Sequence, residues 1–455
     1  MTQASLHRVW VVIIAFACYF GAVAYGLVQL ARHAPQLQPR DPQPKVRSVP
    51  RGTLLAHDGT PLVMSSTAGA RLYPVGVSAS QVLGFAERDP RGVAGRGLSG
   101  LERDLESALA AGRDVRLTLD PAVQSLAEQA LWGAIESSKA DWGTALVMET
   151  RTGRLLAVAN GPRFDPQAPR PDPAADVSWR NHAFLVALEP GSTMKALTAA
   201  ALLEQRKAGL GTVVDAPMHY RVAGWTINDV VSHPRKLTLA EVLKYSSNVG
   251  ISKLAAGMDR RKLYATMEQL HFTDPRPMPG ARLEQPKVRR PELWGPTEYV
   301  NATFGQGFLI TPLHLVAAFN ALANDGLYLP PQLVQGPVGE GERVFRPEVA
   351  RDVRKALTDG VAPQAKLEGY AVGGKTGTAQ VVVDGRYSRT VYNALFAGFI
   401  PSDEPRVTVV VVLHHPKGPR IHGSMVAAPV FREIAAGLFS LWGEPPRLEA
   451  SPKSR

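Results

Sequence analysis

The spacing of apolar residues changes several times along this chain, and each change marks a candidate element. From Val9 to Ala31 the run is continuous, with Gln29 as its one strongly polar side chain, and it is bracketed by His7-Arg8 and Arg32-His33. About 20 residues at 1.5 Å each cross a bilayer core, so the pattern predicts a transmembrane anchor over 9–31 behind a short cytoplasmic tail, 1–8. A cleaved signal peptide ending near Ala22-Val23-Ala24 is the rival reading. Apolar sequence continues through Tyr25-Gly26-Leu27-Val28, which an anchor needs and a signal peptide does not. Lys and Arg beside the span favour a cytoplasmic C-terminal side, although long domains translocate largely regardless of charge.

Residues 32–50 are rich in Pro, Gln and Arg without periodicity and read as a juxtamembrane linker. A small module is expected over 51–113, with a strand at Thr53-Leu54-Leu55, a turn at His57-Asp58-Gly59 and a charged helical stretch over 101–106. A large domain, 114–446, opens with strand-like alternation over 115–119. A helix starting at Asp120-Pro121 follows, with Val123, Leu126, Ala127 and Ala130 on one face. The runs 143–148 and 155–159, joined by Arg151-Thr152-Gly153, predict a β-hairpin. Helical spacing covers 192–205, 239–245, 261–270 and 313–325. Strands return over 371–383, 393–399 and 407–413, and Val430, Ile434, Leu438 and Leu441 stripe a last helix, about 426–441. Strands, helices, strands and a closing helix predict an α+β fold, a helical block against an antiparallel sheet. Residues 447–455 read as a C-terminal tail.

At 455 residues the chain exceeds the roughly 250–300 at which one core stops growing, which agrees with two folded parts plus tails. Its 51 Lys and Arg against 40 Asp and Glu leave a net charge of +11, suited to an anionic membrane surface or a polyanionic polymer. No basic run carries interleaved aromatics, so nucleic acid is set aside. Cys18 is the only cysteine and lies in the apolar N-terminal stretch, which excludes an intrachain disulfide or a thiolate metal site. The histidines show no H-E-x-x-H, and His414-His415 reads as a strand-end pair. No metal and no cofactor is expected.

Candidate chemistry sits in three motifs that each occur once: Ser192-Thr193-Met194-Lys195, Ser246-Ser247-Asn248 and Lys375-Thr376-Gly377. A serine hydroxyl is a weak nucleophile and needs a base, a proton relay and positive charge for an anionic substrate group. Ser192 follows Glu189-Pro190-Gly191 at a helix start, so Lys195 falls one turn later on the same face. The helix dipole disfavours an ammonium there, and the free N–H groups can stabilise an oxyanion. Ser246 can relay a proton and Asn248 can bond a peptide group. Gly373-Gly374 leads Lys375 onto a strand whose glycines admit an extended peptide. Lys375 there offers charge, Thr376 and Thr378 offer hydroxyls, and the Thr378 N–H can complete the oxyanion hole with that of Ser192. Each motif alone is better explained by capping and turn preferences. Their order, uniqueness and predicted helix, loop and strand settings together indicate an active-serine acyl-transfer domain.

Over nearly all of 51–446 the chain resembles the class B penicillin-binding proteins, monofunctional membrane-anchored transpeptidases of peptidoglycan. The likeness includes residues 189–195, Phe304-Gly305-Gln306-Gly307 with Thr311-Pro312, residues 374–379, Phe396-Ala397-Gly398-Phe399 and Ala428-Pro429-Val430-Phe431. It implies a transpeptidase domain on a pedestal (51–113) behind one membrane helix, with catalysis outside the cytoplasmic membrane. By resemblance Ser192 is the nucleophile, Lys195 the base and Ser246 the relay. Asn248, Lys375, Thr376, Gly377 and Thr378 bind a D-Ala-D-Ala stem peptide, and β-lactams acylate Ser192. The short pedestal is similar to that of the septal subgroup, which implies a polytopic SEDS-type glycosyltransferase and divisome proteins as partners. The chain departs from the family pattern at Ala56-His57 and His182, positions expected to affect pedestal contacts. Other readings are an elongation-type transpeptidase, a D,D-carboxypeptidase, and a non-catalytic penicillin-binding scaffold or sensor. A class A β-lactamase would need a Glu and Asn four apart, and Glu298-Tyr299-Val300-Asn301 is one residue short.

Overall fold

The computed structural model describes residues 3–33, 50–88, 94–168, 177–273, 278 and 281–447. Most of the expected linker and C-terminal tail, and the first two residues of the N-terminal tail, lie outside them. The chain divides into two compact units, Met1–Val49 and Pro50–Arg455. In the first, helix α1 spans Gln3–His33 and encloses the whole stretch expected to be apolar. Its side chains Trp10, Phe16, Tyr19, Phe20, Tyr25 and Leu27 stand exposed, so they cover the helix with apolar surface that nothing in the unit buries.

The second unit begins with a small sheet of β1 (Leu54–Leu55), β2 (Pro61–Ser65), β3 (Arg71–Leu72) and β4 (Val115–Arg116) in the order β3-β2-β1-β4. The strand expected over 115–119 is therefore shorter, and it pairs in parallel with β1, Leu54 opposite Val115. The small sheet thus crosses the boundary expected at 113/114. Beside it Glu102 is fully buried, with one carboxylate oxygen 2.6 Å from Arg51 Nε and the other 2.6 Å from Arg71 Nε. Two guanidiniums on one buried carboxylate satisfy charges that would be costly alone. Helix α2 (Pro121–Ser138) joins this region to the large domain: Glu128 accepts from Ser78 Oγ and Ala79 N, both at 2.7 Å. His57 meets the same junction, its N–H donating to the Leu119 carbonyl.

The large domain is built on five antiparallel strands. These are β5 (Trp142–Glu149), β6 (Leu155–Gly161), β9 (Gly373–Val383), β10 (Arg386–Ile400) and β11 (Val407–His414), in the order β9-β10-β11-β5-β6. Here β7 (His219–Val222) and β8 (Trp225–Asn228) name a separate two-stranded hairpin. The central strand β11, Val-Thr-Val-Val-Val-Val-Leu-His, is buried through Leu413, as its unbroken apolar run requires. Alternate side chains serve opposite faces. Val409, Val411 and Phe396 pack with Leu131 of α2 and with Phe431, Ile434 and Leu438 of the last helix. Val410, Val412 and Leu395 pack instead with the helical block.

That block includes α3 (Met194–Glu204), α4 (Leu239–Tyr245), α5 (Asn248–Ala255), α6 (Pro312–Ala323) and α7 (Pro347–Asp359), and the last helix is α8 (Gly423–Trp442). Helix α8 is long and apolar enough to cross a membrane, yet its stripe Val430, Phe431, Ile434 and Leu438 is buried against the sheet, so it is a core helix. The α+β expectation and the 239–245 helix agree with the structure. The helix expected from 192 starts instead as a 3₁₀ turn, Gly191–Thr193. The β7–β8 hairpin, α5 and α7 are not among the expected elements.

Candidate active site

The three motifs converge at the free edge of the sheet, where β9 meets the start of α3 and the junction of α4 with α5. The side chain of Lys195 is fully buried beneath Ser192. Its Nζ lies 2.8 Å from Ser192 Oγ and 3.2 Å from Ser246 Oγ, and donates to the Ser246 carbonyl at 2.7 Å. Burial first, and then the charge of Lys375, hold the Lys195 pKa well below the usual lysine range, while Asp229 opposes them. A neutral amine can then accept a proton from the Ser192 hydroxyl. Ser192 itself is only half-buried and open to a substrate.

Ser246 ends α4 in the left-handed conformation, at φ 59°. That backbone is unfavourable for a residue with a Cβ, and it sets the hydroxyl between two lysines. Lys375 Nζ is 2.9 Å from Ser246 Oγ and donates to the Thr376 carbonyl at 3.1 Å. Burial lowers Lys375 to about 7. The next two residues begin α5: Ser247 caps it, its Oγ accepting from Gly250 N at 2.7 Å, and Asn248 donates from Nδ2 to the Asn228 carbonyl at 2.9 Å.

Two glycines allow the convergence. A Cβ on Gly377 would stand 3.1 Å from the Pro190 carbonyl oxygen and 3.2 Å from Thr193 Cγ2, so a side chain there would crowd the approach of β9 to the nucleophile turn. Gly305, at φ 85°, receives the Gly191 N–H on its carbonyl, and a Cβ there would meet Gly191 O at 2.1 Å. The expected site residues are thus brought together, with one difference in detail. Thr378 Oγ1 accepts from Gly423 N, at the start of α8, at 3.1 Å, so its hydroxyl is engaged away from Lys375. Strand alternation explains this: positions 376 and 378 point opposite to 375 and 377. What Thr378 presents to a substrate is its backbone on an edge strand.

Two residues at the site escaped the sequence reading. Asp229 follows β8, and its Oδ1 accepts from Asn248 N at 2.5 Å and Val249 N at 3.0 Å. Its Oδ2 accepts from Ser247 Oγ at 2.5 Å and from His233 Nε2 at 2.8 Å. One carboxylate therefore satisfies the first free N–H groups of α5. Burial works against a charge on His233, but the Pro234 carbonyl and Asp229 outweigh it and raise its pKa. No local pattern reveals this partnership, because the donors lie almost 20 positions downstream. Glu189 is the second. It is 6 % exposed, and its Oε1 accepts from Gly307 N at 2.8 Å and Tyr387 OH at 2.7 Å. Burial raises its pKa against those two bonds, and its Oε2 has no partner.

The position expected to touch the pedestal, His182, lies elsewhere. Its ring stacks on Trp142 with centroids 4.3 Å apart, and His414 covers the opposite face at 4.8 Å. Burial, with the Arg180 charge, lowers His182 to about 3. Among the described residues no cluster of three His, Cys, Asp or Glu side chains is arranged to hold a metal.

The penicillin-binding protein transpeptidase domain family matches residues 143–436. The chain is 31% identical over 417 residues to the probable peptidoglycan D,D-transpeptidase PenA of Neisseria meningitidis, covering 83% of this chain and 69% of that one. It is 30% identical over 413 residues to the peptidoglycan D,D-transpeptidase FtsI of Escherichia coli, covering 84% and 69%. Penicillin-binding protein 3 of Mycobacterium tuberculosis, solved with ampicillin, superposes with a TM-score of 0.81 at 28% identity, covering 89% of this chain and 98% of that one. The spatial union of S-x-x-K, S-x-N and K-T-G on this α+β frame, with these likenesses, makes the chain a member of the penicillin-binding protein transpeptidase family, of the class B septal type.

Proposed function

We infer that this protein is a serine-type peptidoglycan D,D-transpeptidase that cross-links stem peptides in septal wall synthesis. The carrying observation is the fully buried Lys195 amine, 2.8 Å from Ser192 Oγ and 3.2 Å from Ser246 Oγ. A donor stem peptide pairs along the free edge of β9 with its terminal carboxylate at Lys375 and Thr376, and Asn248 bonds its backbone. Lys195 takes the Ser192 proton as Oγ attacks the penultimate D-alanine carbonyl, and the N–H groups of Ser192 and Thr378 hold the oxyanion. Ser246 passes a proton to the leaving nitrogen and is resupplied from the lysines on either side. D-Alanine departs, an ester to Ser192 remains, and an amine from a second stem displaces the serine with return of its proton. Penicillins acylate the same oxygen as substrate mimics.

Helix α1 anchors the protein in the cytoplasmic membrane by a single pass, with Pro50–Arg455 on the extracytoplasmic side. Its exposed Trp10, Phe16, Tyr19, Phe20, Tyr25 and Leu27 side chains support this, because lipid is the solvent that suits them. A SEDS-type glycosyltransferase contacts the span and the pedestal, and divisome proteins complete the assembly. Labelling by a fluorescent penicillin tests the reading: it is expected in the wild type and lost in Ser192→Ala, and undiminished labelling of that variant would refute Ser192 as nucleophile. D-Alanine release and the fate of the acyl group, measured with and without an acceptor amine, separate transfer from hydrolysis; pure hydrolysis at every acceptor concentration identifies a carboxypeptidase.

A further inference from the structure

The loop 229–235 joins β8 to the short strand Lys236–Thr238, and its burial is inverted. It turns Val230 and Val231 outward, 82% and 53% exposed, and encloses an ionisable ring, with the His233 side chain only 1% exposed. Packing preference alone would do the reverse. The ring gains two bonds in that place. Its Nε2 stands 2.8 Å from Asp229 Oδ2, and its Nδ1 stands 2.8 Å from the Pro234 carbonyl oxygen.

Both partners only accept. The carbonyl has no proton to give, and Asp229 also receives Ser247 Oγ and the N–H groups of Asn248 and Val249. Donors already point at both of its oxygens, which leaves a proton on Asp229 no acceptor to reach. A neutral imidazole has one N–H and one bare nitrogen, so either tautomer would set a lone pair against an oxygen. An imidazolium donates at both ends. Burial opposes that charge, yet the Pro234 carbonyl and Asp229 together raise the ring's pKa. Tyr245 of α4 packs against the ring with centroids 6.0 Å apart, and Lys244 Nζ lies 5.6 Å from the centre of that Tyr245 ring. Arg235, at the end of the loop, is held by Asp215. Among the described residues Asp229 is the one carboxylate bonded to His233.

We propose that His233 is a positioning residue for the active site, a buried imidazolium that fixes the Asp229 carboxylate against Ser247 and Asn248 and shields Lys195 from its charge. The proposal rests on the transpeptidase reading above, in which Lys195 is the base for Ser192. Burial and then the Lys375 charge keep Lys195 neutral, while the Asp229 charge works against them. A positive ring bonded to that carboxylate offsets part of its field, so the amine stays free to take the Ser192 proton.

The test uses the full-length protein in detergent. With ¹⁵N-labelled histidine, the His233 signals are identified by their loss in His233→Gln, and both ring nitrogens are expected to be protonated at pH 7. In Asp229→Asn the same signals are expected to titrate about one pH unit lower. The second-order rate of acylation by a fluorescent penicillin is then followed from pH 5 to pH 9 in the wild type and in His233→Gln, which keeps a donor to Asp229 and removes the charge. The acid limb should move up by about half a pH unit, a rate about threefold lower below its midpoint, with the optimum within about twofold of wild type. A limb's midpoint does not depend on the folded fraction, so a merely structural role would leave it in place. A neutral-tautomer spectrum at pH 7, a titration unmoved in Asp229→Asn, or an acid limb unmoved in His233→Gln overturns the proposal. Failure of the wild type to be acylated at any pH overturns the underlying transpeptidase reading instead.

Discussion

Removing the Asp229 carboxylate should disarm the site without touching any of the three motifs. In Asp229→Ala four donors lose their acceptor at once: Ser247 Oγ, Asn248 N, Val249 N and His233 Nε2. Each buried unsatisfied donor costs about 1–3 kcal/mol. Asn248 is only half-buried and water replaces part of what is lost, so the sum at the start of α5 is about 3 kcal/mol. Asp229→Asn keeps one oxygen for the two backbone N–H groups and should cost about 1 kcal/mol. His233 then faces an amide, which leaves the Pro234 carbonyl but removes the Asp229 charge from the partners that raise its pKa. A displacement of Asn248 by about 1 Å corresponds to roughly a hundredfold loss of rate. The second-order rate of acylation by a fluorescent penicillin is therefore expected to fall about 30- to 100-fold in Asp229→Ala and several-fold in Asp229→Asn. The melting temperature should fall in the same order. An acylation rate within threefold of wild type in Asp229→Ala, at a lowered melting temperature, would refute the reasoning and leave Asp229 as a fold-supporting residue only.

Gly377→Ala crowds Pro190 and Thr193 by a few tenths of an ångström; acylation should drop several-fold while α8 and the distal strands keep their hydrogen-exchange protection. Lys375, lowered to about 7, loses its charge as pH rises past that value, so kcat/KM for carboxylate-bearing substrates should decline above pH 7, and Lys375→Arg should flatten the decline. His182, at about 3 in the fold and near 6.5 when unfolded, is neutral in both states above pH 6.5. Below that the unfolded chain binds the extra proton, so stability falls by up to about 1.4 kcal/mol per pH unit until pH nears 3. His414, lowered to about 4, adds in the same direction. Denaturant midpoints from pH 7 to pH 4 should show the slope, reduced in His182→Gln.

Where local preference and tertiary need coincide, the chain could be read directly. Thr238 and Glu241 form a capping box at the start of α4, and that helix falls over the expected residues. Strand β11 carries an apolar run that only a strand buried on both faces accommodates. Helix α7 is absent from the expected elements although its buried Val349, Val353 and Leu357 stand four apart, the spacing of an amphipathic helix. The β7–β8 hairpin was missed because Trp225 stands 68% exposed and its turn residues Ala223-Gly224 give a weak signal.

The sequence by itself determined the chemical inventory: one serine, two lysines, a relay serine and an asparagine, in an order and setting that identify acyl transfer. It also determined which segments are apolar enough to be buried or to lie in lipid. Only the tertiary structure decided what those groups are. Burial makes Lys195 a base, a left-handed Ser246 places one hydroxyl between two amines, Asp229 braces the second motif from outside it, and Glu189 ties the nucleophile turn to the distant Gly307 and Tyr387. Desolvation and hydrogen-bond partnership depend on what surrounds a side chain in space, and local periodicity carries no record of neighbours that distant strands and loops supply.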